Sequence, residues 1–310
     1  MKCYKKIFKY IKKPLLIIVF LNNKGLHIIN DKLYLKILFR INFNKGLDLK
    51  NPRTFNEKLQ WLKLYDRKDI YTTMVDKSRV KEYVAKTIGE EYIIPTIKVY
   101  DSFNKIDFNE LPNKFVIKCT HDSGGVIVCK NLKKFDKKTA KKILNKSMKK
   151  NFYYFGREWP YKNVKPKIII ERYMEDNQTN ELRDYKFFCF NGQAKFFKID
   201  FDRFTNHRAN YYDNSGKLLH FGEIICPPDY NKDIKMPKNL DKMIELANML
   251  SKNIPFLRVD FYEVNNKIYF GELTFYPASG FGKFTDGKVD AKLGKMIDLK
   301  GVNDEDNNCK

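Results

Sequence analysis

The chain has 310 residues, 43% hydrophobic and 15% aromatic, enough apolar material for a sizeable core in two or three lobes, which excludes a disordered polymer. Its formal net charge of +23, from 60 Lys and Arg against 37 Asp and Glu, is scattered over the whole length and suits a polyanion partner, an anionic membrane surface or a solvated basic exterior. The six cysteines, Cys3, Cys119, Cys129, Cys189, Cys226 and Cys309, form no C-x-x-C pair or Cys/His cluster with metal spacing and fit a reducing cytosol, while the absence of RNA-binding aromatic, zinc-finger and helix-turn-helix signatures argues against nucleic acid.

Along the chain, the run Pro14 to Leu21 (PLLIIVFL) is far shorter than the roughly 20 apolar residues of a spanning helix, and no small-residue cleavage site follows it. With Lys5, Lys6, Lys9, Lys12 and Lys13 ahead of it, this segment suits either packing on the domain or peripheral contact with an anionic inner leaflet. The expected location is cytoplasmic, free or at the inner face of the membrane. Residues 1–75 read as a mainly helical region, with apolar residues at helical spacing in KLYLKILFRINF and FNEKLQWLKLYD and a capping box from Thr54 to Glu57. A linker region follows over 76–112. From 113 to 298 the texture changes to β-branched and aromatic runs: KFVIKC, GVIVCK, KIIIERYM, DYKFFCFNG, QAKFFKID, FLRVDFYEV and KIYFGELTF. Helices are expected around 136–150 and 239–252, and hairpin turns at Asn191-Gly192 and Asn265-Asn266. The class is therefore α+β with antiparallel hairpins, closed by a polar tail over 299–310.

Three constellations carry chemistry. Strand KFVIKC enters the turn His121-Asp122-Ser123-Gly124-Gly125; backbone N–H groups of such a turn can face an anion, and Lys118 can aim a cation at it. The turn leads to a strand and lacks the P-loop pattern, and a structural hairpin explains it as well. Arg258-Val259-Asp260 and Glu272-Leu273-Thr274 stand on successive strands. If their faces coincide, two carboxylates lie side by side and need a proton or a divalent cation between them; oxygen donors of this kind suit Mg²⁺. A salt bridge with Arg258 is the alternative. The third is Lys167-Ile-Ile-Ile-Glu171-Arg172-Tyr173-Met174, a strand-to-linker junction able to present its main chain to a purine edge, or simply a buried strand ending in a loop. In the stretch Tyr153 to Lys162, Arg157 and Trp159 belong to a packed loop or contact an acidic sugar.

Taken together and in order, these pieces resemble the ATP-grasp superfamily over residues 76 to 285. The signatures VDKSRVKEYV, ELRDYKFFCFNG and GELTFYPASGF are similar to the TupA-like branch, named for teichuronopeptide biosynthesis, whose members are found with cell-surface polysaccharide assembly. The resemblance implies an ATP-grasp fold, two α+β lobes gripping ATP, with the helical region as an accessory. It makes Lys118 a ligand of the α- and β-phosphates and the turn from His121 through Asp122 to Gly125 its phosphate-covering loop, Ser123, Gly124 and Gly125 forming the lid. Glu171 and Met174 then take the adenine, Asp184 the ribose, and Asp260 and Glu272 the Mg²⁺. Thr274 stands where the family usually has Asn as third metal ligand.

The implied chemistry is carboxylate–amine ligation. Mg²⁺ and Lys118, with Lys186 or Arg208, neutralise the γ-phosphate for attack by a carboxylate; an amine then displaces phosphate from the acylphosphate while Arg258 stabilises the oxyanion. The expected substrates are a uronic-acid or amino-sugar glycan precursor and an amino acid or similar amine. The rival classes are a glycosyltransferase of surface polysaccharide, which would carry an Asp-x-Asp-like metal motif after a strand, a motif not expected in this chain, and a non-catalytic polyanion or lipid binder.

Overall fold

The computed structural model describes residues 15–176, 182–203, 205–300 and 302; Lys5 to Lys13 and most of the polar tail lie outside them. Five helices come first: α1 (Leu15–Asn23), α2 (Asp31–Phe43), α3 (Phe55–Tyr65), α4 (Asp69–Val75) and α5 (Val80–Ile88). The capping box on α3 forms as expected, with the Glu57 amide donating to Thr54 Oγ1 (3.3 Å) and the Thr54 amide to Glu57 Oε2 (3.0 Å), which satisfies two otherwise unpaired N-terminal donors. Arg157 is 2% exposed. Its guanidinium stacks 4.1 Å from the Tyr34 ring centroid, pairs with Asp31 (3.1 Å) and donates to Asn22 Oδ1 (2.9 Å). It ties α1 and α2 to the following loop and has no surface to offer a sugar.

Among the described residues, ten strands form two antiparallel sheets. The smaller, in order β1-β4-β2-β3, comprises β1 (Thr96–Tyr100), β2 (Phe115–Cys119), β3 (Ile127–Cys129) and β4 (Ile168–Arg172). Behind it lies α6 (Lys137–Met148), whose Ala140 and Leu144 join Phe115, Ile117, Ile168 and Ile170 in a core. A single turn, α7 (Tyr153–Gly156), leads on. The larger sheet, in order β10-β9-β5-β6-β7-β8, comprises β5 (Asp184–Phe190), β6 (Gln193–Phe201), β7 (Arg208–Asp213), β8 (Leu218–Leu219), β9 (Phe256–Val264) and β10 (Lys267–Thr274). The Asn191-Gly192 and Asn265-Asn266 turns take the positive φ angles that close tight hairpins. Helix α8 (Leu240–Ser251) packs on one face of this sheet, and α9 (Gly287–Met296) packs on α3.

Alternation divides the larger sheet's other face by composition. One end is aromatic and lies under α3: Phe55 meets Phe256 at 4.9 Å and Phe190 at 6.1 Å between ring centroids. The other end is ionic, carrying Lys186, Lys198, Asp200, Arg258 and Asp260, all at least partly buried. Helices α3, α4 and α5 thus share one hydrophobic core with the larger sheet; the helical region is welded to the strands. Strand β1, from the stretch read as a linker, pairs with β4.

Candidate active site

The two sheets and the start of α5 enclose a cleft of about 910 Å³. Lys118 and Glu171 reach it from the smaller sheet, Asp184, Asp200 and Glu272 from the larger, and Lys77 and Lys81 from the helical side; the linker contributes Tyr173 and Met174. Residues far apart in the chain meet here: Lys118, Glu171, Met174, Asp184 and Glu272 line one space, and Asp260 does not line it.

A basic corner stands at one end. Glu171, 4% exposed, is held at 2.5 Å by Lys118 on one oxygen and at 2.5 Å by Lys81 on the other. Burial alone would raise its pKa, but the two ammonium groups outweigh burial and hold it below the usual carboxylate range. Lys81 also donates to the Ile94 carbonyl and Thr96 Oγ1, both at 2.7 Å. Lys77 donates to the Asp122 carbonyl in the glycine-rich turn; burial pulls its pKa down, against the attraction of Glu272, and the repulsion of Lys118 adds to the fall. An anion entering this corner meets three lysines.

A carboxylate face stands opposite. Asp260 is 1% exposed and takes a two-pronged grip from Arg258, Nε to Oδ1 and Nη2 to Oδ2, each 2.7 Å, with Lys186 Nζ 2.7 Å from Oδ2. Although burial opposes it, the two cations bring this carboxyl down to about 2. Burial would likewise lower Lys186, but Asp260 and Asp184 keep its ammonium above the ordinary value. Arg258 Nη2 also reaches Glu272 Oε1 (2.9 Å) and Thr274 Oγ1 (3.0 Å). The salt bridge with Arg258 therefore forms, buried rather than on the surface, and it spans both acids. Glu272 keeps a 47% exposed side chain and lines the cleft, whereas Asp260 is enclosed by its ion pairs.

Other predicted residues fall elsewhere. His121 is 2% exposed, and its Nε2 lies 3.2 Å from the Ser147 carbonyl of α6, so the ring faces the core behind the turn. The Asp122 carboxylate accepts from the Ser147 hydroxyl; Ser123, Gly124 and Gly125 are exposed, with φ of 115° at Gly124 and 65° at Gly125. Arg208 opens β7 opposite Phe201 and does not line the cleft, because β7 lies two strands beyond β5. Sequence reading passed over Lys77 and Lys81, which VDKSRVKEYV places four residues apart, and over Lys198 and Asp200, which alternation sets on one face of β6. Asp184 pairs with Arg203 and lies 3.4 Å from Lys186. Asp200 faces Arg203 (3.2 Å), Lys198 (3.6 Å) and Lys186 (3.8 Å). With His207 and Cys226 it forms a potential donor set for a transition metal, but a metal ion there would meet three cations already in place.

Two antiparallel sheets closing on a lysine- and carboxylate-lined cleft define an ATP-grasp protein. Within that class, the TupA-like ATP-grasp family matches residues 57–298, and the chain belongs to that family. No curated protein matches it. Among solved structures it is similar to the D-alanine–D-alanine ligase of Bacillus anthracis complexed with ATP (15% identity, 66% of this chain and 54% of that one, TM-score 0.37). It is also similar to the D-alanine–D-alanine ligase of Helicobacter pylori (16% identity, 79% and 69% covered, TM-score 0.41) and to the D-cycloserine synthetase DcsG (14% identity, 72% and 69% covered, TM-score 0.38). The chain spans about half the length of the first of these, 54%.

Proposed function

We propose that the chain is an ATP- and Mg²⁺-dependent ligase that joins a carboxylate to an amine through an acylphosphate. The observation that carries this reading is the convergence of Lys77, Lys81 and Lys118 with Glu272 on one cleft: cations for a polyphosphate, and opposite them a half-exposed acid open to the cleft. The hard oxygens of Glu272, half-exposed on the cleft, suit Mg²⁺, and Asp260 would join them only by giving up one of its ion pairs with Arg258 and Lys186. When bound, this ion supplies charge neutralisation across the phosphates.

The chain's own residues do the rest. Lys77 and Lys118 hold the triphosphate against the glycine-rich turn, and Tyr173 and Met174 border the base. The substrate carboxylate oxygen attacks the γ-phosphorus and ADP leaves. The amine nitrogen then attacks the acyl carbon, phosphate leaves with the oxygen it received, and the nitrogen gives up a proton to form the amide. Of the larger sheet's cations, Arg203 lines the cleft and would meet the approaching carboxylate, whereas Lys186 and Lys198 are buried in ion pairs. The family's association with surface polysaccharide favours a uronic-acid or amino-sugar glycan precursor and an amino acid as the pair.

Contrary to expectation the chain does hold an Asp-x-Asp, Asp200-Phe201-Asp202 at the end of β6, but the glycosyltransferase reading gains nothing from it. Asp200 is matched by Arg203, Lys198 and Lys186, while Asp202 pairs with Lys232 at 3.2 Å. Phosphate release from ATP and Mg²⁺, with a panel of uronic acids and amines, tests the ligase. Turnover with one pair and none with Glu272→Gln supports it; failure of the protein to bind ATP removes it.

A further inference from the structure

We infer that the first helix and the loop after it form a docking surface for an anionic lipid bilayer. Helix α1 offers a nearly continuous apolar sequence, LLIIVFLNN, of nine residues, and among the described residues no helix is long and apolar enough to cross a membrane. Its orientation is fixed by one polar residue. Asn22, 3% exposed, donates to Tyr34 Oη (3.0 Å) and the Tyr154 carbonyl (2.7 Å) and accepts from Arg157. That anchor decides which side faces inward and leaves other apolar side chains outside.

Those side chains lie close together along the chain. Ile17 and Leu21 stand one turn apart on α1 and are 46% and 38% exposed. The helix ends with the Leu26 amide bonded to the Leu21 carbonyl (3.1 Å), the Gly25 amide bonded to the Asn22 carbonyl (3.0 Å) and Gly25 at φ 98°. This left-handed termination sets the residue after the glycine against the one five positions earlier, here Leu26 against Leu21. Leu26 is 52% exposed, Ile28 84% and Leu33, in the first turn of α2, 48%. A patch of large apolar side chains held out by a buried polar pin is costly in water unless something covers it.

Charge identifies the cover. The first 30 residues contain seven lysines, Lys2, Lys5, Lys6, Lys9, Lys12, Lys13 and Lys24, and no Asp or Glu; Lys24 is exposed at the patch itself. A second copy of the chain would bring a second Lys24 to the patch and a second set of the same unbalanced positive charge, and be repelled. An anionic bilayer accepts the apolar side chains into its interface and attracts the lysines, the two contributions that together hold a protein at a surface.

The test is co-sedimentation of the full chain with vesicles of equal parts phosphatidylglycerol and phosphatidylcholine, and with phosphatidylcholine alone. Retention is expected on the anionic vesicles only, weakened in about 1 M salt, where screening shrinks to roughly 3 Å. The double variant Leu26→Asp, Ile28→Asp alters two exposed residues, so an unchanged thermal melt shows that it folds, and its retention should fall about tenfold. The proposal is overturned by no retention on anionic vesicles, or by a double variant retained as fully as the wild type, which would leave scattered surface lysines as the cause. It is also overturned if the same variant abolishes self-association while vesicle binding is absent, since the cover would then be a second copy.

Discussion

Glu272 stands opposite Asp260, although the hairpin that joins their strands would by itself set it opposite Val259. Pairing runs from Val264 with Lys267 to Phe261 with Phe270, then shifts by one residue so that Glu272 meets Asp260 and Thr274 meets Arg258. Gly271 is the residue absorbed by this bulge. Without the shift Glu272 would point to the face that α8 covers, and the two acids would lie on opposite sides of the sheet. A Cβ on Gly271 would come within 3.0 Å of the Asp260 carbonyl oxygen and 3.1 Å of the Tyr262 ring. Gly271→Val should therefore leave a folded protein, by circular dichroism, that has lost most of its ATP turnover; turnover at the wild-type rate would show that Glu272 does not need this register.

Neutralising the two acids should have unequal consequences for stability. Asp260→Asn strands Arg258 and Lys186 in a buried site, and breaking a buried pair from one side typically costs about 3–5 kcal/mol. Glu272 is half-exposed and only one of the groups around Arg258, so Glu272→Gln should shift the melt by less than about 1 kcal/mol. Both should abolish ATP turnover. Chemical denaturation of the two variants beside the wild type distinguishes the effects.

The Asp260 carboxyl also sets an acid limit. Its folded pKa, about 2, lies below the ordinary value of about 3.9, so the unfolded chain binds the proton first as pH falls. The stabilisation is complete above about pH 4 and is lost between there and about pH 2. Glu171, lowered by Lys118 and Lys81 against burial, acts in the same direction. Thermal melts taken down that range should fall for the wild type more steeply than for Asp260→Asn; equal slopes would contradict the assignment.

Lys77 offers a test of the basic corner. Its ammonium is largely desolvated and donates to a neutral carbonyl, so Lys77→Met should not destabilise the fold. The loss should appear in nucleotide affinity, by about 10- to 100-fold if one charge-assisted phosphate contact is removed. Isothermal titration with an ATP analogue measures it. An unchanged affinity would take Lys77 out of the site.

Helix α9 meets α3 through Gly294, where a Cβ would overlap the Arg53 carbonyl. Gly294→Val should thus force α9 off the capping box of α3 and destabilise the protein by about 1–3 kcal/mol, read as a lower denaturation midpoint.

Much of this site could be read from the residues because its parts lie on strands with clear alternation. Arg258 and Asp260 had to share a face, as had Glu272 and Thr274, and Asn265-Asn266 announced the hairpin between them. What alternation could not disclose was the register shift at Gly271, since an isolated glycine within a strand fits either pairing. Strand β1 (TIKVY) was hidden for another reason: it is five residues long with only its last residue buried, and its place depends on β4, some 70 residues further on. Lys77 and Lys81 were visible as a motif but not as site residues, because nothing local says that α5 and the turn before it pack where these lysines meet Glu171 and Asp122. His121 shows the converse error, a residue inside a glycine-rich turn whose ring is claimed by the helix behind it.

One stretch of chain touches both sheets by different forces. Met74, Val75, Val80 and Val84 are buried in the larger sheet's core, an attachment indifferent to salt, while Lys77 and Lys81 hold the smaller sheet through Asp122 and Glu171, an attachment that any competing anion weakens. A polyphosphate arriving between the sheets draws on those same two ammonium groups, so the guest loosens one fastening as it supplies another, and the jaw is released by what it comes to hold.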